Sequence, residues 1–264
     1  MKILIKDIIN EVMQPEIHID NTVDGLEYGD LDTVVKGVIV TFLATQGVIE
    51  AARATGVNLI ISHEGIGYSH RPDYKQLECN SVYIKKVNLI NESGITVFRN
   101  HDHIHRCTPD RIMVGLISKL KWTSYEVFRC PMASVVEIPE ISLDRLIAHV
   151  KSMLGISYVR FLGDLSMTCS KIGILAGYRG SGQHAIPLFE QQQPDVVVYG
   201  EGPEWETPEY VRDSIFQGNK KALIVLGHAE SEMPAMNLLA EQLKQKFPAV
   251  KVEFIANEPI FDVI

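Results

Sequence analysis

Cysteine is scarce. The 264-residue chain has four, Cys79, Cys107, Cys130 and Cys169, and no two stand in a CxxC spacing. This argues against a disulfide framework and against a zinc–thiolate site, and it predicts reduced thiols in a cytoplasmic protein. Long apolar runs are missing too. None approaches the ~20 residues that span a bilayer, so no membrane partner is expected. A basic excess is absent: net charge is −8, whereas unspecific nucleic-acid surfaces are usually basic. The opening MKILIKDIINEVMQ places apolar residues at helical spacing. It lacks the long apolar core and small-residue cleavage site of a secretory signal. No low-complexity segment or long linker interrupts the chain.

What is present is an alternation of apolar runs and helical patterns. The runs at 37–42, 57–62, 95–98, 171–176, 195–199, 222–226 and 250–254 are rich in Val and Ile and read as buried strands. The stretches 46–55, 75–92, 109–121, 142–154, 208–217 and 233–247 read as helices. Thr108-Pro109 and Ser142 read as helix starts. Continuous apolar strands between helices predict the α/β class, with mixed or parallel sheets and helices on both faces. Segments 38–64 and 172–201 both run strand, turn, helix, strand and end on a glutamate. They read as two related α/β units, although any two βαβ units share that outline. The two-proline stretch RCPMASVVEIPEIS (129–142) is the candidate crossing between domains. The expected division is 1–128 plus 220–264, with 129–219 inserted.

Three short elements carry chemistry, each after an expected strand, where ligands gather in open α/β sheets. RNHDHIHR (99–106) holds three of the nine histidines, His101, His103 and His105. If extended, the three share a face. His63-Glu64 follows VNLIIS, and Gly65 and Gly67 would ease a turn there. In GHAESE (227–232), His228 and Glu232 are four apart and share a face if the helix has begun. Taken alone, His63-Glu64 reads first as a solvated loop and GHAESE first as a helix cap. Together they point to a metal site of imidazole and carboxylate, a donor set suited to Zn, Fe, Mn, Co or Ni. His70 and Arg71 are close enough in sequence to line the same pocket, or belong to a surface loop. The turn GYRGSGQ (177–183) offers a weak phosphate cradle at Gly180, Ser181 and Gly182. It lacks the full dinucleotide fingerprint.

At this point the segments, taken in order, resemble a family: the NGG-interacting-factor-three-like proteins, also described as dinuclear-metal-centre hexameric proteins and as GTP cyclohydrolase type-two homologues. VDGLEYG (23–29) resembles its "WDNxGLQxG", VNLIISHE (57–64) its "ADLIISHH" and NHDHIH (100–105) its "HTxLD". KIGILAGYRGSG (171–182), VVVYGE (196–201) and GHAESE (227–232) resemble its "vcgGSG", "DxxxTGE" and "GHxxSE". The resemblance implies two divalent transition-metal ions per chain and a toroidal homo-hexamer. Carried over, the ligand set is His63, Glu64, His105, His228 and Glu232. Two positions depart: Glu64 stands for a histidine, and His105 for an aspartate. Leu43 stands where the family usually has Asp.

These readings predict a metal-dependent hydrolase, of cyclohydrolase or phosphoester type, for a small, nucleotide-like substrate. Glu64, if it is not a ligand, would serve as general base. His101 is the other catalytic candidate, and His103 and His70 would orient ligands or touch substrate. The alternatives are a non-catalytic metal-binding adaptor and an oligomeric scaffold with a degenerate site holding one metal or none.

Overall fold

The structure, a computed structural model, describes residues 2–264. The chain forms two compact units. One is Met1–Thr108 with Met236–Asp262, and the other is Pro109–Ala235 with Val263–Ile264.

In the first unit the order is α1 (Ile5–Val12), β1 (Gly25–Tyr28), β2 (Val38–Leu43), α2 (Gln46–Thr55), β3 (Leu59–Glu64), α3 (Tyr74–Leu77), α4 (Ser81–Ser93), β4 (Thr96–Arg99) and α5 (Asp102–Arg106). The second unit runs α6 (Arg111–Lys119), β5 (Glu126–Arg129), β6 (Ser134–Ser142), α7 (Leu143–Leu154), β7 (Arg160–Leu162), β8 (Thr168–Leu175), α8 (Gly182–Gln192), β9 (Val196–Tyr199), α9 (Thr207–Phe216) and β10 (Ala222–Val225). A single 3₁₀ turn, Thr123–Tyr125, precedes β5. Helix α10 (His228–Lys246) then leads back to β11 (Val252–Phe254) of the first unit.

Both sheets are mixed. The first has the order β1-β4-β3-β2-β11, parallel except for β1. The second has the order β5-β6-β8-β9-β10-β7, with β8, β9 and β10 parallel and the rest antiparallel. Neighbouring residues Ile39 and Val40 are both wholly buried, so both faces of the first sheet are covered. One face carries Ile39, Ile60 and Val97 against Val48, Ile49 and Ala52 of α2 and Tyr83 and Ile90 of α4. Each such aliphatic side chain contributes roughly 1.5–3 kcal/mol by leaving water. In the second unit Val135, Leu175, Val197 and Leu223 form the equivalent layer with Ala185, Leu188 and Val211.

The stretch 129–142 is not a crossing. Cys130 N–H donates to the Ala133 carbonyl, closing a hairpin between β5 and β6. Pro131 sits at its tip, and Pro139 lies where the register of β6 shifts, between Glu137 and Ile141; a residue without an N–H is tolerated at such a bulge. The expected single helix 75–92 is two helices. Asn80 accepts the N–H groups of Val82 and Tyr83 and starts α4 afresh. Ser142 caps α7 as expected, whereas Asp110, not Thr108, caps α6. Among the described residues no helix is long and apolar enough to cross a membrane.

Candidate metal centre

The strand end of β3 supplies His63 and Glu64, and β4 delivers the chain to α5 beside them. RNHDHIHR is not extended. Asp102–Arg106 is a helix with His101 at its N-cap, so residues four apart, not two apart, share a face. His101 and His105 therefore come together, with ring centroids 5.0 Å apart. His103 turns the other way; it is buried, and its Nε2 meets the Pro15 carbonyl at 2.9 Å. It takes no part in the cluster.

The helix starts there because Asp24 caps it from a distance. The Asp24 carboxylate accepts the N–H groups of His101, Asp102 and His103, and Asp102 in return accepts the Val23 N–H. Asp102 also takes the Nδ1–H of His101 at 2.9 Å. Burial works against its charge, but the bonds from Val23 and His101 outweigh it and hold the carboxyl down at about 2.

His63 stacks on His101 at 4.5 Å and meets His105 edge-on at 5.1 Å. One ligand atom from each of His63, His101 and His105 lies within 4.8 Å of the others. His63 is wholly buried, and its Nδ1 donates to the Asn100 carbonyl at 3.1 Å. That bond puts the proton on Nδ1 and the lone pair of the neutral ring on Nε2, the tautomer a metal needs. The bond to Asp102 does the same for His101. The donor chemistry fits a divalent transition ion: imidazole nitrogens with a carboxylate beside them suit Zn, Fe, Mn, Co or Ni.

No turn is needed to bring His63 and Glu64 to one place. Strand β3 runs through both, and His101, arriving from β4, is their common neighbour. Its Nε2 lies 3.5 Å from Glu64 Oε1. Gly65 and Gly67 serve close approach, and Gly67 lies in the turn that follows the strand. A Cβ on Gly65 would lie 2.8 Å from Glu27 Oε1 and 3.1 Å from Arg99, and one on Gly67 would lie 2.6 Å from Pro72.

Sequence reasoning missed Arg99. Its side chain is 3% exposed. It donates to Glu64 Oε2 at 2.6 Å, to the His70 carbonyl at 2.8 Å and, more weakly, to the His63 carbonyl at 3.4 Å. It also lies 3.2 Å from His70 Nδ1. The only signal was an arginine closing an otherwise apolar strand. His70 is exposed, with its ring 4.7 Å from that of His101. Glu64, His70 and His101 form a second group with ligand spacing. Beside them lies a cavity of about 470 Å³, bordered by His70, Arg71, Tyr74, Arg99 and Glu27. Burial pushes the Glu27 carboxyl up.

The second unit carries the other expected pair. Helix α10 begins at His228, so His228 and Glu232 share a face, 3.3 Å apart. The helix starts earlier than the expected 233–247, and Pro234 lies inside it. Glu201, at the end of β9, takes the Nδ1–H of His228 at 3.0 Å. This carboxylate was missed as a site residue. The bond from His228 is the main cause of its lowered pKa. It turns the Nε2 lone pair of His228 toward Glu232, a carboxylate–histidine arrangement common behind metals. Gly177, with φ +63°, makes room here: a Cβ would fall 2.1 Å from Glu232 Oε1.

The glycine turn has no open phosphate cradle. Gly180 N–H donates to the Glu201 carbonyl, and Gly182 N–H donates to the Glu206 carboxylate at 2.6 Å. Glu206 thus holds the N-terminus of α8, where a phosphate bound beside Ser181 would sit.

The family model Duf34/NIF3 (NGG1p interacting factor 3) matches residues 3–259. The chain belongs to the Duf34/NIF3 family. This family member is 24% identical over 248 residues to the GTP cyclohydrolase 1 type 2 homolog of Clostridium perfringens, covering 90% of this chain and 88% of that protein. It is 22% identical over 244 residues to the protein of the same name from Chlamydia trachomatis, covering 90% and 91%. Among solved structures, the Bacillus cereus protein related to NIF3 superposes with a TM-score of 0.78 at 15% identity, covering 100% of this chain and 99% of that one. A Staphylococcus aureus hypothetical protein gives 0.73 at 18% identity, covering 98% and 97%. At these identities the structural likeness speaks for the fold, the two-unit α/β architecture of this family.

Proposed function

We propose that this Duf34/NIF3 member is a metal-dependent hydrolase acting on a small, nucleotide-like substrate. The observation that carries the reading is the convergence of His63, His101 and His105 within 4.8 Å at the carboxyl ends of β3 and β4. A bound divalent ion would supply Lewis acidity and an activated water for attack on a carbonyl or phosphoryl group. The chain's own groups would do the rest. Asn100 and Asp102 hold the His63 and His101 rings in the ligating tautomer. The cavity beside Arg71, His70 and Tyr74 is of a size that suits a small molecule, and Arg71 there would attract an anionic group. The names of the relatives, GTP cyclohydrolase 1 type 2 homologs, agree with the cyclohydrolase form of this chemistry. In the second unit, Glu201 would orient His228 beside Glu232 as a further pair of candidate ligands.

The test is a screen of metal-loaded protein against GTP, phosphodiesters and phosphate monoesters, with His105→Ala alongside. Turnover by the wild type and loss in the variant supports the hydrolase. If the loaded wild type turns over nothing that the variant does not, the reading falls, and the adaptor reading takes its place.

We propose further that the chain assembles as the homo-hexamer the resemblance implies. Phe216 and Trp205, 92% and 76% exposed, are large side chains that such an assembly would cover.

A further inference from the structure

The resemblance implies a pair of ions, but the charge distribution in the first unit argues for one. Two groups of side chains there have ligand spacing, His63–His101–His105 and Glu64–His70–His101. They share His101 and differ in their relation to Arg99. In the second group the guanidinium touches two of the three members. It lies 2.6 Å from Glu64 Oε2 and 3.2 Å from His70 Nδ1. In the first it reaches only the main-chain carbonyl of His63.

The guanidinium is not a loose surface group. It is buried, it is tied to the His70 carbonyl at 2.8 Å, and it stands at the end of β4 with its strand paired on both sides. The absence of a side chain at Gly65 leaves room for it: a Cβ there would crowd Arg99 at 3.1 Å. A nitrogen that accepts an arginine N–H has no lone pair left on that atom for a metal, and a carboxylate oxygen bound to a guanidinium is a weaker donor to a second cation, which the guanidinium charge also repels. Glu64 Oε1 is the oxygen turned the other way, 3.5 Å from His101 Nε2. That is close to the edge of a tetrahedron of donors each about 2.1 Å from a common centre.

We propose that Arg99 takes the place of a second cation, so that the first unit takes up a single divalent ion at His63, His101 and His105, with Glu64 Oε1 as the carboxylate donor. This rests on the metal-binding part of the proposed function. Arg99 acts here as a positioning and charge-matching residue. It fixes which oxygen of Glu64 faces the imidazoles and repels a further dication.

The experiment is metal analysis of the full-length protein after loading with Mn(II), joined to electron paramagnetic resonance of the same samples. The expected wild-type result is the spectrum of isolated Mn(II), without the exchange coupling of a close pair. Arg99→Lys keeps the charge and is expected to match the wild type. The double variant Glu64→His/Arg99→Gln, which restores the paired histidines of the family pattern and removes the cation, is expected to gain one further ion per chain and a coupled spectrum. A coupled pair in the wild type overturns the inference while leaving metal binding intact, and needs no variant to fold. A folded double variant that gains nothing also overturns it. No uptake by any of the proteins overturns the metal reading itself.

Discussion

Asp24 accepts the backbone N–H of His103 at 2.7 Å across 79 residues of chain. This carboxylate, at the entrance to β1, closes the N-terminus of α5 and so decides where the His101 and His105 rings stand. Replacing it with Ala leaves three N–H groups uncapped. The loss expected is about 1–2 kcal/mol of stability, read from urea denaturation, together with a 10–100-fold weaker metal affinity. Unchanged affinity in a folded Asp24→Ala protein would show that the ring positions do not depend on this cap.

His105 and His103, two residues apart in the motif, should separate cleanly. His105→Ala is expected to abolish uptake of the ion in the first unit. His103→Ala should leave the metal content as it is but cost roughly 1–3 kcal/mol, because a buried polar contact to Pro15 is lost. Metal content and denaturation midpoints on both variants check this. Equal metal loss in both would return His103 to the site.

Lys86 supplies a pH test away from the histidines. Burial lowers its ammonium from 10.5 to about 8, with Glu27 acting weakly in the other direction. The folded state therefore gives up this proton earlier than the unfolded chain. Between about pH 8 and 10 the unfolded state binds more protons, so the contribution of this group to stability rises with pH. Lys86→Met removes the burden of the charge. The variant is expected to exceed the wild type in stability at pH 7, with the gap closing by up to roughly 1.4 kcal/mol per pH unit above 8. Denaturation curves at pH 7, 8 and 9 decide it; a gap that stays constant contradicts the assignment.

Removing the ion should be felt in the fold. At a free-metal concentration of about 100 times Kd, linkage gives about 2.7 kcal/mol. Dialysis against a chelator is expected to lower the thermal midpoint of the wild type and to leave that of His105→Ala where it was. Matching shifts in both would point to an ion held elsewhere.

The proposed self-assembly can be tested at Phe216, whose side chain is 92% exposed. Phe216→Ser is expected to shift the mass seen by light scattering toward the single chain, with metal content of the first unit unchanged. A wild type that already runs as a monomer at micromolar concentration removes the hexamer.

The strand and helix pattern was readable because buried parallel strands are continuous Val and Ile runs whatever surrounds them. The edge strands β1, β5 and β7 were not, since GLEY, EVFR and RFL carry the charges and short lengths that exposed edges favour. The chemistry of the site was equally local: His63, Glu64, His101, His105, His228 and Glu232 can all be named from spacing and resemblance. What only the tertiary structure decided was partnership. Asp24 turns an apparently extended RNHDHIHR into a helix and so divides its histidines, sending His103 inward to Pro15 and bringing His105 to His101. Arg99, unremarkable in one dimension, takes one oxygen of Glu64 because β3 and β4 are hydrogen-bonded neighbours. Those contacts join residues 35 and 79 positions apart, and no local pattern in a chain encodes a distance of that kind.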